Sequence, residues 1–367
     1  MLKHELVIMS TRSMRSYAAR VVEYMANYKS INGSKGDING VFSLQVDRFA
    51  DGEMEVALNR SVRGRDVVLF TTCARNEANI GVEEAKIELY HTIDVLSRSQ
   101  AHKIIVFEPY VSCSRSDRTT RRNSVGIWIH FKTLISLGAR HIVTYQLHSD
   151  KSKTMLDPAL CVFDDIPGFN LLSKYICDTS IKDIKQLQNE VHREWAFCSV
   201  DAGSENTARN FANSFSAGLV IAHKQRDYSK ANTVESINIL SAEPVEGKKL
   251  WIVDDMIDTG ASVERLVRAL AERKPAEINI VVVHALLSPP APERIENLFN
   301  QGLLNRLIVS DSVHLPEQIL RRCEHIELVP STKLSANIIR TIVTKDSMSG
   351  LRGRFNAAEY LSRPDLF

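Results

Sequence analysis

The sequence has no long hydrophobic run and no excess of charge of either sign. Its 46 Lys and Arg stand against 44 Asp and Glu, so 367 residues carry a formal net charge of +2. That balance excludes the broad basic footprint of a nucleic-acid-binding protein, and any anion must be met by a local cationic cluster. The longest apolar stretches, such as Ile280 to Val283, are strand-sized and far below the ~20 residues of a membrane helix. At the N-terminus only Leu6 to Met9 form an apolar block, against the ~7–15 residues of a secretory core. The C-terminal Pro364-Asp365-Leu366-Phe367 is not a peroxisomal address. The expectation is a cytoplasmic protein with no membrane span. Cysteine is sparse: Cys73, Cys113, Cys161, Cys177, Cys198 and Cys323 show no C-x-x-C pairing and lie mostly in apolar segments. That predicts reduced, buried thiols and excludes a disulfide frame or cysteine-rich zinc site.

What is present is an alternation of short β-branched runs with helix-period segments from about residue 66 onward, the pattern of a parallel sheet covered on both faces by helices. Val67–Phe70 is a predicted strand. Val82, Ala85, Leu89, Ile93 and Leu96 recur at three- and four-residue steps and predict an amphipathic helix, followed by strand Ile104–Phe107. Residues 108–123 are polar and carry function or disorder. Ile127–Leu137 is a helix stopped by Gly138, and Ile142–Leu147 is the next strand, ending at His148. A second series begins near Trp195: strand Ala196–Val200, helix about Glu205–Phe215, strands Leu219–Ala222 and Leu250–Val253, helix Ser262–Ala271 and strand Ile278–Val283. Element order repeats without residue identity, which predicts two tandem α/β, Rossmann-like domains. Polar, Pro-containing Asp150 to Asp165 reads as a hinge, and 31–40, INGSKGDING, as a flexible loop. The tail after about Gly350 lacks periodicity.

The sharpest chemical signal is LWIVDDMIDTGAS, Leu250 to Ser262, where a buried strand runs into two adjacent acids and then Asp258, Thr259, Gly260, Ala261, Ser262 and a helix. A strand-to-helix turn of this kind aims backbone N–H groups, two hydroxyls and the partial positive charge of a helix N-terminus at one spot, which suits a phosphate. Acids beside it suit ribose hydroxyls or a metal. Asp254 and Asp255 fall at the carboxyl end of the strand, where open α/β sheets place ligands. The plainer alternative is a capped helix with Asp258 or Thr259 as cap, but a cap needs only one such residue.

This run resembles the phosphoribosyl pyrophosphate (PRPP) loop of type I phosphoribosyltransferases. Other segments narrow the resemblance to the ribose-phosphate pyrophosphokinase (PRPP synthetase) family, as a divergent member. Phe49-Ala50-Asp51-Gly52-Glu53, followed by Ser61-Val62-Arg63-Gly64, is similar to that family's segment near the N-terminus. Pro109-Tyr110 with Arg115, Asp117 and Arg118, then Leu147-His148, Ser199 to Gly203, and His223-Lys224-Gln225-Arg226 match further family motifs in family order, from about residue 42 to 345. The resemblance implies two tandem type I phosphoribosyltransferase-like domains. These would be 1–164, with a C-terminal helix at about 331–350 packing back on it, and 165–330 carrying the PRPP loop, followed by a 351–367 tail. It also implies synthesis of PRPP from ATP and ribose 5-phosphate, with AMP released and Mg2+ required. By resemblance, Lys224, Arg226 and His148 are catalytic, and Asp254, Asp255, Asp258, Thr259, Gly260, Ala261 and Ser262 hold ribose 5-phosphate. Phe49, Asp51, Glu53, Arg115 and Asp117 bind ATP, the first three from a neighbouring subunit. His148 and Asp201 hold the metal, and Ser61 and Arg63 are candidates for allosteric phosphate or ADP. A homo-oligomer, a hexamer built from dimers, is implied, with neither nucleic acid nor membrane as partner.

The chain departs from the family pattern at Gln146, where the family writes Asp, at Ser116 for Gln, at Ala261 for Gly and at Ser204 for Gly. Ala261 would be strained if its position needs a positive φ. Two alternatives compete. A non-catalytic PRPP synthetase-associated regulatory subunit would lose parts of the mobile loop or PRPP loop, and both are present here. A PRPP-consuming transferase would need only one such domain.

Overall fold

The computed structural model describes residues 5–26, 40–119, 122–201, 203–225, 236–241 and 243–363. They divide into two compact units, Met1–Pro167 with Ser312–His314 and Pro330–Arg352, and Gly168–Asp311 with Leu315–Val329 and Gly353–Phe367. The expected flexible loop at 31–40 falls, except for Gly40, outside the described residues.

In chain order the first unit holds β1 (Leu6–Ser10), α1 (Arg15–Ala26), β2 (Val41–Phe42), β3 (Leu44–Arg48), β4 (Met54–Leu58) and β5 (Asp66–Phe70). It continues with α2 (Val82–Arg98), β6 (Lys103–Phe107), α3 (Gly126–Leu137), β7 (Ala139–Tyr145) and β8 (Val162–Ile166). The sheet runs β2-β1-β5-β6-β7-β8 and every pairing in it is parallel, while β3 and β4 form a separate antiparallel hairpin. Val67, Val68, Leu69 and Phe70 are all fully buried, because a central parallel strand is covered on both faces and needs a continuous apolar run. Along α2, Ala85, Leu89, Ile93 and Leu96 face the core, and Val82 at its start faces solvent. α3 ends at Gly138 with φ +123°, where an added Cβ would lie 2.1 Å from the Ser97 hydroxyl. Only glycine fits there.

The segment expected as a hinge is instead ordered structure. Asp150–Met155 form a 3₁₀ helix and Val162–Ile166 become the sheet's edge strand, paired with β7. An edge strand tolerates the two aspartates that made the sequence look like a linker.

The second unit holds α4 (Gly168–Ser180), the one-turn helices α5 (Ile184–Gln186) and α6 (His192–Glu194), β9 (Trp195–Ser199), α7 (Glu205–Phe215), β10 (Gly218–Gln225) and β11 (Ser236–Ser241). Then come β12 (Lys249–Ile257), α8 (Ala261–Ala271), β13 (Glu277–Ala285), α9 (Ala291–Asn300), β14 (Arg306–Ser310), α10 (Glu317–Arg322) and β15 (Ile326–Val329). Its sheet runs β11-β10-β9-β12-β13-β14-β15, parallel except for the edge strand β11. Aliphatic Leu250, Ile252, Ile280, Val282, Leu266 and Leu270 fill one core cluster. Aromatics fill another, with Trp195 and Trp251 rings 5.3 Å apart and Phe197 and Phe215 rings 5.2 Å apart. The strand expected at 219–222 is longer, because polar His223, Lys224 and Gln225 continue it in a hairpin with β11. Such residues are tolerated near a sheet edge and carry no apolar signal.

The chain then returns to the first unit. α11 (Thr332–Thr344) is tied to it by hydroxyls: Tyr17 Oη lies 2.7 Å from both Ser331 and Ser335 Oγ, and Tyr145 Oη lies 2.6 Å from Ser335 Oγ. Each such buried bond contributes about 1 kcal/mol. α12 (Ser349–Arg352) sets Arg352 against Asp164, whose other oxygen is 2.7 Å from His141 Nε2. α13 (Ala357–Ser362) belongs to the second unit, where Tyr360 donates to Asp178 at 2.9 Å and Phe355 packs 6.1 Å from Phe215. Two aromatic anchors thus hold the described part of the tail, to Arg363, despite its lack of periodicity. Five cysteines are buried, Cys113 is half-buried and none is in a disulfide; burial pushes the Cys198 thiol up to about 12.

Burial pushes the Asp164 carboxyl up, but the hydrogen bond from His141 and the charges of His141, Arg352 and Lys103 pull it below the ordinary carboxylate range. A group whose pKa is lower folded than unfolded contributes stability above about pH 4 and loses it as pH falls through the folded value. Asp164→Asn should therefore lower Tm near neutrality but show a smaller further decline between about pH 5 and pH 3 than the unmodified chain. Equal acid slopes in scanning calorimetry would refute this.

Candidate functional site

In the second unit β9 and β12 pair from Trp195 with Lys249 to Ser199 with Val253, and there β9 ends. β12 runs on, paired with β13, and carries Asp254 and Asp255 past the end of β9. The parallel arrangement brings the turn after β9, with Asp201, to the same end. Asp201 Oδ1 accepts N–H bonds from Gly203 at 2.9 Å and Ser204 at 3.2 Å. Ser204, the residue that departs from the family glycine, accepts from Val200 N at 3.0 Å and Asp201 N at 3.2 Å through its hydroxyl. Its side chain closes the turn that holds the acid.

Desolvation is the first cause that pushes the Asp254 carboxyl well above the ordinary range, followed by the charges of Asp255 and Asp201. Three acids therefore share one neighbourhood, and Asp254 among them resists ionisation. Asp255 N donates to Asp254 Oδ1 at 3.1 Å, which fixes that carboxyl. Beyond Ile257 the loop passes through half-buried Asp258 and exposed Thr259 to Gly260. Gly260 is left-handed at φ +74° and caps α8, and its carbonyl accepts from Glu264 N at 2.9 Å. The first turn of α8 then aims its N–H groups and partial positive charge at the loop. Ala261 is the first helical residue and Ser262 the second, both half-buried. The strain considered for Ala261 is absent, because the left-handed position is Gly260.

In the first unit, β7 ends at Tyr145 and Gln146 takes a positive φ of 40°. Gln146 N donates to Ile166 O at 3.0 Å and Leu147 N to Asp165 Oδ1 at 3.0 Å. Leu147 is buried, which leaves His148 exposed on the next turn of chain. Lys153 Nζ lies 2.8 Å from the other Asp165 oxygen, so one carboxylate braces both sides of the histidine loop.

The remaining candidates of this unit lie on a hairpin turn and on polar loops. Phe49 sits at the turn of the β3–β4 hairpin and is 55% exposed. The turn is closed by Phe49 N to Glu53 O and Gly52 N to Phe49 O, both 2.9 Å, and by Glu53 N to Asp51 Oδ1 at 3.1 Å. Arg48 ties it to α2 through Gly52 O at 2.8 Å and Glu84 at 2.6 Å. Arg115 is exposed and Asp117 half-buried. Between them Ser116 Oγ accepts from Gly126 N at 2.9 Å, anchoring the loop to the start of α3. Ser61 and Arg63 are exposed, with Arg63 N donating to Ser61 Oγ at 3.4 Å. Lys224 lies on β10 opposite Ile237, and Arg226 falls outside the described residues. Among the described residues no group of three or more His, Cys, Asp or Glu has the geometry to hold a metal ion. Sequence reasoning missed Asp165, Ser204 as a turn closer, and Arg294, whose Nη1 donates to Thr259 O at 2.7 Å. No motif spacing marks Asp165 or Arg294, and the motif marked Ser204 only as a departure from glycine.

Gly260→Ala should destabilise the chain by about 1–2 kcal/mol, the left-handed penalty of a Cβ, in urea denaturation. Ala261→Gly should cost no more than about 1 kcal/mol. The reverse order would place the strained position at 261.

Two family models match the chain: the N-terminal domain of ribose phosphate pyrophosphokinase over residues 6–138 and the phosphoribosyl transferase domain over 175–301. The ribose-phosphate pyrophosphokinase of Campylobacter jejuni is 31% identical over 339 residues, covering 89% of this chain and 99% of that relative. That of Thermosipho africanus is 31% identical over 321 residues, covering 86% and 90%. In fold, the chain is similar to the crystal structure of phosphoribosylpyrophosphate synthetase from Mycobacterium smegmatis, with a TM-score of 0.76, 24% identity, and 93% and 99% of the two chains covered. With both domains matched in order and a relative covered almost end to end, the chain belongs to the ribose-phosphate pyrophosphokinase family.

Proposed function

We infer that this chain makes PRPP by transferring the β,γ-diphosphoryl group of ATP to the C1 hydroxyl of ribose 5-phosphate. The C1 hydroxyl gives its proton to solvent as its oxygen bonds to the β-phosphorus, the bond from that phosphorus to the oxygen that bridges it to the α-phosphorus breaks, and AMP departs with that oxygen. The observation that carries this reading is the run from Asp254 to Ser262, which joins paired acids to a left-handed glycine and a helix N-terminus at the end of a buried strand. In this reading the 5-phosphate lies against Asp258 to Ser262, where N–H groups and hydroxyls receive its oxygens. Asp254 and Asp255 accept the ribose hydroxyls. A hydroxyl donor relieves the crowding that pushes the Asp254 carboxyl up.

Phosphoryl transfer asks the protein for positioning and for neutralisation of charge. Lys224 and Arg226 fill the second role at the transferring phosphorus, and His148 contacts the phosphates. The outward tip with Phe49, Asp51 and Glu53 suits a base bound by a neighbouring subunit, consistent with a closed homo-oligomer, a hexamer built from dimers; Arg115 and Asp117 serve the nucleotide. Mg2+ requires oxygen ligands, and Asp201, Asp254 and Asp255 are oxygen donors whose mutual repulsion a divalent cation relieves. Asp201 and His148 are its proposed ligands, and the bound ion would neutralise the diphosphoryl charge. Ser61 and Arg63 are the proposed contacts for regulatory phosphate or ADP. No helix among the described residues is long and apolar enough to cross a membrane, and cytoplasm is the proposed compartment.

The test is AMP release by the purified chain with ATP, ribose 5-phosphate and Mg2+. AMP is expected only when both substrates are present, and Lys224→Ala should lower kcat by about 10²–10³. No AMP across a range of Mg2+ and phosphate would refute a stand-alone enzyme and favour a regulatory subunit of a mixed assembly. Asp254→Asn should raise Tm of the ligand-free chain by relieving like charge, while ribose 5-phosphate no longer shifts it. An unchanged or lower Tm would refute the crowding.

A further inference from the structure

We propose that Arg294 is a positioning residue for the ribose-phosphate loop, acting through the Thr259 carbonyl and through Glu264; this rests on reading Asp258 to Ser262 as that loop. One charge near the loop sits in an awkward place. Glu264 stands in the first turn of α8, and its backbone N–H bonds to the Gly260 carbonyl. A carboxylate there suits the helix dipole but repels a phosphate seeking the same N-terminus. Two arginines meet it. Arg294 Nε lies 3.2 Å from Glu264 Oε2, and Arg268 Nη2 lies 3.1 Å from Glu264 Oε1.

Arg294 does more than pair. Its Nη1 donates to the Thr259 carbonyl at 2.7 Å, from α9 on the far side of a 35-residue separation. The loop also rests on that helix: a Cβ on Gly260 would meet Ala291 Cβ at 3.4 Å and Arg294 Cδ at 3.9 Å. One guanidinium therefore pins the backbone that shapes the cradle and offsets the acid beside it. Arg268 is tethered elsewhere as well, to Gln301 at 2.8 Å, and does not contact the loop carbonyl. A fork of donors in fixed geometry can serve two acceptors at once, which a lysine ammonium on a flexible stem does less well.

The experiment measures ribose 5-phosphate binding by calorimetry and the steady-state rates of the full chain. Arg294→Met should raise Kd and KM for ribose 5-phosphate about tenfold, the scale of one lost charge-assisted hydrogen bond, with kcat within about threefold because the transferring phosphorus is not touched. Arg294→Lys should fall between the two. Adding Glu264→Gln to Arg294→Met should recover part of the loss, since a carboxylate that Arg268 alone then offsets no longer stands beside the phosphate; a purely structural role gives no such recovery. Ribose 5-phosphate binding by Arg294→Met within twofold of the unmodified chain overturns the proposal, as does a loss that Glu264→Gln leaves unchanged. If Arg294→Met does not fold, Arg294→Lys decides, and unmodified affinity in it overturns the proposal. An unmodified chain that binds no ribose 5-phosphate overturns the functional reading and this one with it.

Discussion

Like charge held at the end of a buried sheet is the constraint on which the second unit depends. Asp254 and Asp255 lie on β12 just past the point where β9 stops, and Asp201 lies on the turn that β9 enters. A parallel sheet sends the carboxyl ends of its strands to one edge, so acids far apart in sequence are gathered without any sequence proximity. The cost is visible in Asp254, whose carboxyl is pushed up by burial and by its two acidic neighbours. The β12 strand can bear this because Leu250, Ile252 and Val253 beneath the acids are fully buried, each contributing roughly 1.5–3 kcal/mol.

The departures from the family pattern acquire physical uses once the loops are seen. Ser204 accepts two N–H bonds and so shapes the turn that holds Asp201. Ser116 is short enough for its hydroxyl to take the Gly126 N–H and fasten the polar loop to α3. Ala261 follows the left-handed glycine and begins a helix, where alanine is the best residue available. Gln146 takes a left-handed backbone in front of His148, supported by Ile166 and, through Leu147, by Asp165. Three of the four serve local structure directly, and none disturbs the geometry of the loop from Asp258 to Ser262.

The first unit shows how late parts of a chain complete an early sheet. α11 is bound to Tyr17 and Tyr145 by a cluster of hydroxyls, and Arg352 covers Asp164 on the edge strand β8. Covering the edge in this way also shields a strand that would otherwise offer unpaired backbone groups. The same strand supplies Asp165, which holds the histidine loop from the other side. The edge of the sheet and the shape of that loop are therefore one problem with one solution.

Periodicity and motif determined much of this by themselves. Continuous β-branched runs required buried parallel strands, the spacing of Ala85, Leu89, Ile93 and Leu96 required a core-facing helix, and the order of motifs from Phe49 to Ser262 pointed to the family, because each is a local property of the chain. Edge structure escaped that reading. β8 looked like a linker and the Lys224 end of β10 like a loop, since neither an edge strand nor a strand end that runs past its inner neighbour needs apolar alternation. The tail escaped it too, because Phe355 and Tyr360 are single anchors and not a period. Which glycine carries the left-handed turn, how Asp201 reaches the vicinity of Asp254, and why Arg294 meets Thr259 were decided only by tertiary structure: each depends on where two distant elements end, and a sequence records the elements but not the distance between their ends.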